Sequence, residues 1–108
     1  MGAAGGRIVN VSSRASLVPA GGSLAYTTAK GALNALTRAL AEEVKRQGIL
    51  VNAVAPATID TPANRAAMPG ADSTLWARPA DIAATILWLA SPANVLTTGE
   101  VVSVYGAM

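Results

Sequence analysis

The chain has 108 residues, of which 52% are hydrophobic and 13% are charged, and its formal net charge is +2. This length suits one domain, and a chain this apolar is not disordered. It lacks cysteine and histidine, which excludes disulfides, thiolate nucleophiles, Ser-His-Asp triads and nearly all zinc sites, so we expect no metal. The basic residues are scattered, no segment approaches a membrane span and the N-terminus has no secretory-type apolar run. We therefore expect a cytoplasmic protein that binds neither nucleic acid nor membrane.

The first half of the chain predicts a strand, a loop and a long helix. Residues 7–11 are a short β-branched run after a glycine pair, which is typical of a buried strand. Residues 12–22 are small, polar and rich in Gly and Pro, as in a loop. A helix is predicted over residues 23–47, with Ser23 as its N-cap and Gly48 as its terminator.

The second half predicts a strand, a long loop, a helix and a last strand. Residues 49–54 are the second buried strand, ended by Pro56. Residues 55–78 contain three prolines and little periodicity, so we expect a loop with at most a short helix. A loop this long in a compact domain is usually functional. A helix from Pro79 to about residue 90 and a strand over residues 101–105 complete the chain.

This order of elements predicts the fold class. Alternating strands and helices with continuously apolar strands indicate an α/β fold, in which about three parallel strands are joined by two crossover helices. We expect the first helix on one face of the sheet and the second helix on the other, and we attribute this arrangement to right-handed crossovers.

Two faces of the long helix differ in bulk. An apolar stripe is expected to face the sheet, and Tyr26 and Lys30 continue it toward the N-terminal end. The stripe consists of Leu33, Leu36, Leu40 and Val44. The adjacent face carries Ala25, Ala32, Ala35 and Ala39. This alanine face either packs on another helix or reflects only the high helix propensity of alanine.

Three side chains predict chemistry. Tyr26 and Lys30 are one helical turn apart, so they share one surface of the helix. An ammonium beside a phenol favours the phenolate, and such a tyrosine exchanges protons in a carbonyl–alcohol interconversion. The pair alone is equally consistent with a solvated helix surface. Ser13 lies at the end of the first strand, where ligands bind in open parallel sheets, and its hydroxyl is suited to bond a substrate oxygen.

Several segments, in this order, resemble successive motifs of the short-chain dehydrogenases/reductases. They are Gly6-Arg7-Ile8-Val9-Asn10-Val11-Ser12-Ser13, Tyr26-Thr27-Thr28-Ala29-Lys30, Val51-Asn52-Ala53-Val54-Ala55-Pro56, Ile59-Asp60-Thr61-Pro62 and Thr98-Gly99-Glu100. The resemblance covers nearly the whole chain. It implies a partial Rossmann-like fold with three layers, αβα, in which residues 1–108 are a single C-terminal segment and the N-terminal half is absent.

The resemblance also implies a reaction and the residues that perform it. Tyr26 would be the general acid/base, Lys30 would favour its phenolate and bind the nicotinamide ribose, and Ser13 would orient and polarise the substrate carbonyl. The positions that match contacts to the nicotinamide end are Pro56, Ile59 and Thr61. Hydride would pass between NAD or NADP and a small carbonyl or alcohol substrate. The alternative is a non-catalytic fragment that acts as an interaction module on full-length relatives.

The sequence departs from the family pattern in three ways. Ala57 stands where the family usually has glycine after the proline, which affects how closely backbone approaches the cofactor. No strand, Gly-rich turn and helix that would hold the pyrophosphate is found, and Asn10 does not match the family's active-site asparagine. We therefore expect weak or absent activity from these residues alone, and the sequence leaves open whether Met1 is the natural start.

Two further expectations concern substrate and assembly. Residues 60–72 resemble the substrate-side loop of dihydropteridine reductases, which implies a pteridine or quinonoid substrate, and an ordinary lid segment is the alternative. The first strand should have an open edge, and residues 81–89 form a helix that is apolar nearly all round. Family members commonly associate through the Tyr-bearing helix and the last strand. A homo-oligomer, or association through the helix over residues 23–47, is therefore expected.

Overall fold

The computed structural model describes the backbone of residues 1–108 and every side chain except that of Ala3. One parallel sheet has the strand order β1-β2-β3, with β1 at Gly6–Val11, β2 at Ile49–Pro56 and β3 at Val101–Val104. The helices are α1 (Leu24–Val44), α2 (Pro62–Ala67) and α3 (Pro79–Ala90). The predicted α/β class, the parallel sheet and the order of its elements are confirmed.

The structure supports the predicted C-terminal end of α1 more fully than the predicted N-terminal cap. Ser23 precedes the helix, but its side chain makes no capping hydrogen bond. At the other end a short 3-10 turn, Lys45–Gln47, leads to Gly48, whose left-handed backbone (φ 70°, ψ 23°) stops the helix. Gly5 packs against this turn so closely that a Cβ there would overlap the carbonyl of Gly48. The chain therefore enters β1 and β2 side by side.

One face of the sheet packs against α1. The register pairs Ile8 of β1 with Val51 of β2. Val51 is fully buried and forms a core cluster with Ala41 of α1 and with Ile49. Burial of these apolar side chains stabilises the contact between helix and sheet.

The other face is covered by α3 and by the segment that follows it. α3 packs against β1 and β2. Because successive side chains of a strand alternate between faces, Arg7 points away from the face to which Ile8 contributes. Its guanidinium donates two hydrogen bonds, of 3.2 and 2.7 Å, to the carbonyl of Asn94. Asn52 of β2 donates to the carbonyl of Thr97 at 2.9 Å. One helix therefore covers each face, as expected.

The handedness of the connections differs from our expectation. Successive strands lie side by side in chain order, so two right-handed crossovers would put α1 and α3 on the same face. Because the two helices lie on opposite faces, one of the two connections is left-handed, which is rare for parallel strands. Right-handed crossovers therefore do not account for the arrangement.

The prediction for the sheet-facing side of α1 is wrong in one part. Leu36 is 54% exposed, whereas Asn34, Thr37 and Ala41 are buried. A polar side chain is tolerated against the sheet because β1 offers it a partner: the Asn10 amide donates to the Thr37 hydroxyl at 3.0 Å. The other members of the stripe, Leu33, Leu40 and Val44, are partly buried.

The loop between β2 and α3 follows the prediction closely. Residues 57–78 contain α2, with six residues, and a 3-10 turn at Ser73–Leu75. Pro62 occupies the first turn of α2, where a proline costs no hydrogen bond. Along the described part of the chain, none of the helices combines the length and apolarity required to cross a membrane.

Candidate active site

A cleft of about 440 Å³ lies at the carboxyl ends of β1 and β2. This volume is within the range of small-molecule sites, roughly 300–1,000 Å³. Its wall on the β1–α1 side includes Ser13, Arg14 and Tyr26, and its wall on the loop side includes Thr58, Ile59 and Asn64. The cleft is where an open parallel sheet binds its ligands, as the sequence predicts.

Tyr26 and Lys30 lie together at the N-terminal end of α1. The Lys30 ammonium is 5.8 Å from the centroid of the Tyr26 ring, close enough for a cation–π contact. The same ammonium donates a hydrogen bond of 3.0 Å to the carbonyl of Val11, the last residue of β1. This bond fixes the positive charge beside the phenol. Tyr26 is 52% exposed, so its hydroxyl is open to a ligand.

Ser13 faces the same cleft from the turn after β1. It precedes the 3-10 turn Arg14–Ser16, and its Oγ accepts a hydrogen bond of 3.3 Å from the backbone N–H of Ala15. Among the described residues, the Ser13 hydroxyl donates to no protein group. Its hydrogen is therefore available for an oxygen in the cleft. The structure brings Ser13 and Tyr26 together on one cleft and sets Lys30 beside the tyrosine ring.

A buried polar network joins this turn to α1. The Ser12 hydroxyl donates to Oδ1 of Asn34 at 2.6 Å, and Nδ2 of Asn34 donates to the Ser16 hydroxyl at 2.7 Å. The Ser16 hydroxyl in turn donates to the carbonyl of Ser13 at 2.6 Å. Asn34 and Ser12 are each 3% exposed. The network therefore fixes the backbone of Ser13 relative to the helix that carries Tyr26.

The three positions implied to contact the cofactor differ in what they can reach. Ile59 lines the cleft. Pro56 is buried as the last residue of β2. The Thr61 hydroxyl accepts a hydrogen bond of 3.1 Å from the backbone N–H of Asn64, so it caps α2. Neither Pro56 nor Thr61 is part of the cleft lining, whereas Ala57 is, with its methyl group where the resemblance implies glycine.

The loop-side wall is held by contacts over short stretches of sequence. The Arg65 guanidinium donates two hydrogen bonds, of 2.6 and 2.9 Å, to the Asp60 carboxylate. These bonds, together with the positive charge of Arg65, lower the pKa of Asp60 from its ordinary value, against a smaller opposing effect of desolvation. The Asn64 amide donates to the carbonyl of Ile59 at 2.8 Å. α2 is thereby tied to the loop that precedes it.

Two features of the cleft were missed in the sequence. Asn34 lies four residues after Lys30, on the same side of α1, and this spacing alone could have suggested it. Arg14 follows Ser13 directly and lines the cleft, with its guanidinium 5.3 Å from the centroid of the Tyr105 ring. No local pattern brings Arg14 and Tyr105 together, since they lie at opposite ends of the chain.

Other parts of the molecule are less suited to bind a charged ligand or a metal ion. A second cleft, of about 400 Å³, lies between the start of α3 and the end of β3. Its charged side chains, Arg78 and Asp81, are paired with each other at 2.9 Å. Among the side chains that the structure describes, no group of three or more acidic residues could hold a metal ion.

Comparisons with known proteins give relatives that are about twice as long. A family model described as enoyl-(acyl carrier protein) reductase matches residues 1–107. An uncharacterized oxidoreductase of Escherichia coli, YohF, is 41% identical over 112 residues, which cover 94% of this chain and 44% of that protein.

Two solved structures extend the likeness to the fold. Acetoin dehydrogenase from Enterobacter cloacae superposes with a TM-score of 0.83 at 41% identity, over 95% of this chain and 42% of that chain. A 4-hydroxyisoleucine dehydrogenase complexed with NADH gives a TM-score of 0.79 at 33% identity, over 93% of this chain and 44% of that chain. The chain thus spans less than half the length of the relatives that it matches.

Proposed function

Because the chain belongs to the short-chain dehydrogenase/reductase family, we propose that it carries the catalytic residues of an oxidoreductase that uses NAD or NADP. The reaction interconverts a carbonyl and an alcohol on a small molecule. One observation carries the proposal: Ser13 and Tyr26 line the same cleft, and the Lys30 ammonium lies 5.8 Å from the tyrosine ring.

In this proposal each of the three side chains has one role. When bound, the nicotinamide cofactor supplies or accepts the hydride. In the reduction, Tyr26 donates its phenolic proton to the carbonyl oxygen, and Ser13 donates a hydrogen bond to the same oxygen. Lys30 stabilises the phenolate that remains, because its ammonium is fixed nearby. In the oxidation the alcohol proton returns to Tyr26.

The residues present fit the nicotinamide end of the cofactor. The Tyr26 hydroxyl and the Lys30 ammonium are donors suited to ribose oxygens, and Ile59 adds an apolar wall for the ring. Pro56 and Thr61 contribute differently from what the resemblance implies. Pro56 ends β2 and Thr61 caps α2, so both support the backbone from which Ile59 faces the cleft.

The relatives support an enzymatic function. All three proteins compared above are named as oxidoreductases or dehydrogenases. The comparisons lend no support to the alternative, a non-catalytic interaction module. The pteridine or quinonoid substrate implied by residues 60–72 stays a prediction, as does the cytoplasmic location.

Removal of one hydroxyl tests the proposal. Tyr26→Phe keeps the ring and removes the acid/base group. We expect the single-turnover rate of ketone reduction, with protein in excess over NADH or NADPH, to fall at least about 100-fold. Thr28→Val removes an exposed hydroxyl from the same helix and serves as the control, with an unchanged rate. Equal rates for wild type and Tyr26→Phe would refute the assignment.

We also propose that the chain associates with a second copy through α1. Leu24 is 84% exposed and Leu36 is 54% exposed on this helix. Exposed apolar side chains that share a surface are typical of an interaction site. The alanines of the adjacent face are exposed as well: Ala25, Ala32, Ala35 and Ala39. Sedimentation equilibrium should give a dimer or larger for wild type and a monomer for Leu36→Glu. A monomeric wild type would contradict the proposal.

A further inference from the structure

The cleft contains one cation that the proposed reaction does not use. We propose that Arg14 selects carbonyl or alcohol substrates that carry a carboxylate on the same small molecule. This inference rests on the proposed function and goes beyond it, because it names the chemical class of the substrate. Ser13 and Tyr26 act on the reacting oxygen, and Arg14 binds the acid group.

Arg14 is well placed for this role. It is the first residue of the turn after Ser13, and it lines the cleft together with Ser13 and Tyr26. Among the described residues that line the cleft, Arg14 has the one charged side chain. Most of its neighbours there are apolar: Ala15, Val18, Ala57 and Met68. A charge with such neighbours is less screened by water and therefore interacts more strongly with a ligand.

The guanidinium is oriented but not satisfied. It lies over the Tyr105 ring, 5.3 Å from the centroid, which limits the positions that the side chain can adopt. Its Nε is buried and donates no hydrogen bond within the described structure, and none of the described ion pairs includes Arg14. A buried N–H without an acceptor is unfavourable and requires an explanation. Arg14 also lines the cleft, so an anionic ligand there can accept hydrogen bonds from the part of the guanidinium that the cleft exposes.

The geometry and the charge favour a carboxylate over a larger anion. Guanidinium presents parallel N–H groups that match the two oxygens of a carboxylate. One guanidinium balances the single charge of a carboxylate, whereas a phosphate dianion would leave a charge uncompensated among apolar side chains. A volume of about 440 Å³ suits a short keto acid or hydroxy acid.

Two matched probes test the inference on the intact chain. Levulinate is a ketone with a carboxylate, and methyl levulinate is the same ketone without the charge. We expect NMR titration to give binding of levulinate about tenfold tighter than binding of its ester. Arg14→Met should bring this ratio to about one, because it keeps an unbranched side chain and removes the charge.

Two further variants separate the effect of the parallel N–H groups of the guanidinium from the effect of its charge. Arg14→Lys keeps the charge and loses the parallel N–H pair, so the ratio should fall to an intermediate value. Arg38→Met removes an exposed arginine from α1 and changes the net charge equally, so it should leave the ratio unchanged. Equal binding of the two probes by wild type, failure to bind either probe, or an unchanged ratio in Arg14→Met would overturn the inference.

Titration of the same samples with NADH separates this inference from the proposed function. Saturable NADH binding that Lys30→Met weakens, combined with equal binding of the two ketones, would reject the role of Arg14 and leave the oxidoreductase proposal intact. A carboxylate preference that depends on Arg14, in a chain that does not bind NADH or NADPH, would reject the proposed function alone.

Discussion

The two walls of the cleft are held by contacts of different range. On the β1–α1 side, the Ser12–Asn34 and Asn10–Thr37 hydrogen bonds join residues 22 and 27 positions apart. On the loop side, the bonds within residues 59–65 join residues 3–5 positions apart. The first wall is therefore part of the core of the fold, whereas the second is largely a local unit.

This difference separates a wall of fixed geometry from a wall that can adjust to a ligand. A proton donor and its neighbours must be held in a fixed geometry, and a buried network provides this. A local unit opens with a smaller free-energy change than the core does, so it adjusts more easily to a ligand. We expect substitutions in the buried network of the first wall to affect global stability and the reaction, and substitutions on the second wall to affect α2 and the way it adjusts to the substrate.

The largest effect on stability should come from Asn34, which bonds both Ser12 and Ser16 in the buried network. Asn34→Ala removes the 2.6 Å acceptor of the buried Ser12 hydroxyl and the amide that donates to the Ser16 hydroxyl. We expect the free energy of unfolding to fall by about 2 kcal/mol, measured in urea. Leu36→Ala, two positions along α1, should change it by less than about 0.5 kcal/mol at protein concentrations low enough for the chain to be monomeric, because Leu36 is 54% exposed in the single chain. The reverse order would mean that the leucine stripe, and not the polar network, faces the sheet.

A smaller effect is expected on the loop side. Thr61→Ala removes the hydroxyl that caps α2 and should destabilise this helix by about 1 kcal/mol. Amide hydrogen exchange should become faster within residues 62–67 and stay unchanged in α1. Thr28→Ala, at an exposed position of α1, is the control. Slower folding or global loss of protection in the Thr61 variant would show that the two walls are not separate units.

The smallest effect concerns pH. The pKa of Asp60 is lowered by its hydrogen bonds and ion pair with Arg65. The contribution of this pair is therefore present above the ordinary value of 3.8 and is lost as the pH falls through the lowered value. Amide exchange in α2, corrected for intrinsic rates, should accelerate in that acidic range and not between pH 5 and pH 8. In Asp60→Asn the acid-dependent step should be absent, and a step that persists would point to another carboxylate.

The sequence predicted the elements that form the cleft better than the long-range contacts that hold them in place. Strands, helices and the Tyr26–Lys30 pair follow from local periodicity and spacing, so their positions could be read from short windows. The buried side of α1 could not, because Asn34 and Thr37 are buried only where Ser12 and Asn10 meet them. The contact of Arg14 with Tyr105 and the left-handed crossover also depend on long-range packing, which no short motif encodes.

The central claim is that Ser13 and Tyr26 act on one carbonyl oxygen, and a double-mutant cycle on the single-turnover rate of ketone reduction tests it most directly. Ser13→Ala and Tyr26→Phe should each slow the reaction, and the double variant should be about as slow as Tyr26→Phe alone, because groups that act as a unit are not additive. Losses that multiply in the double variant would mean that the two hydroxyls act independently, and this would contradict the account.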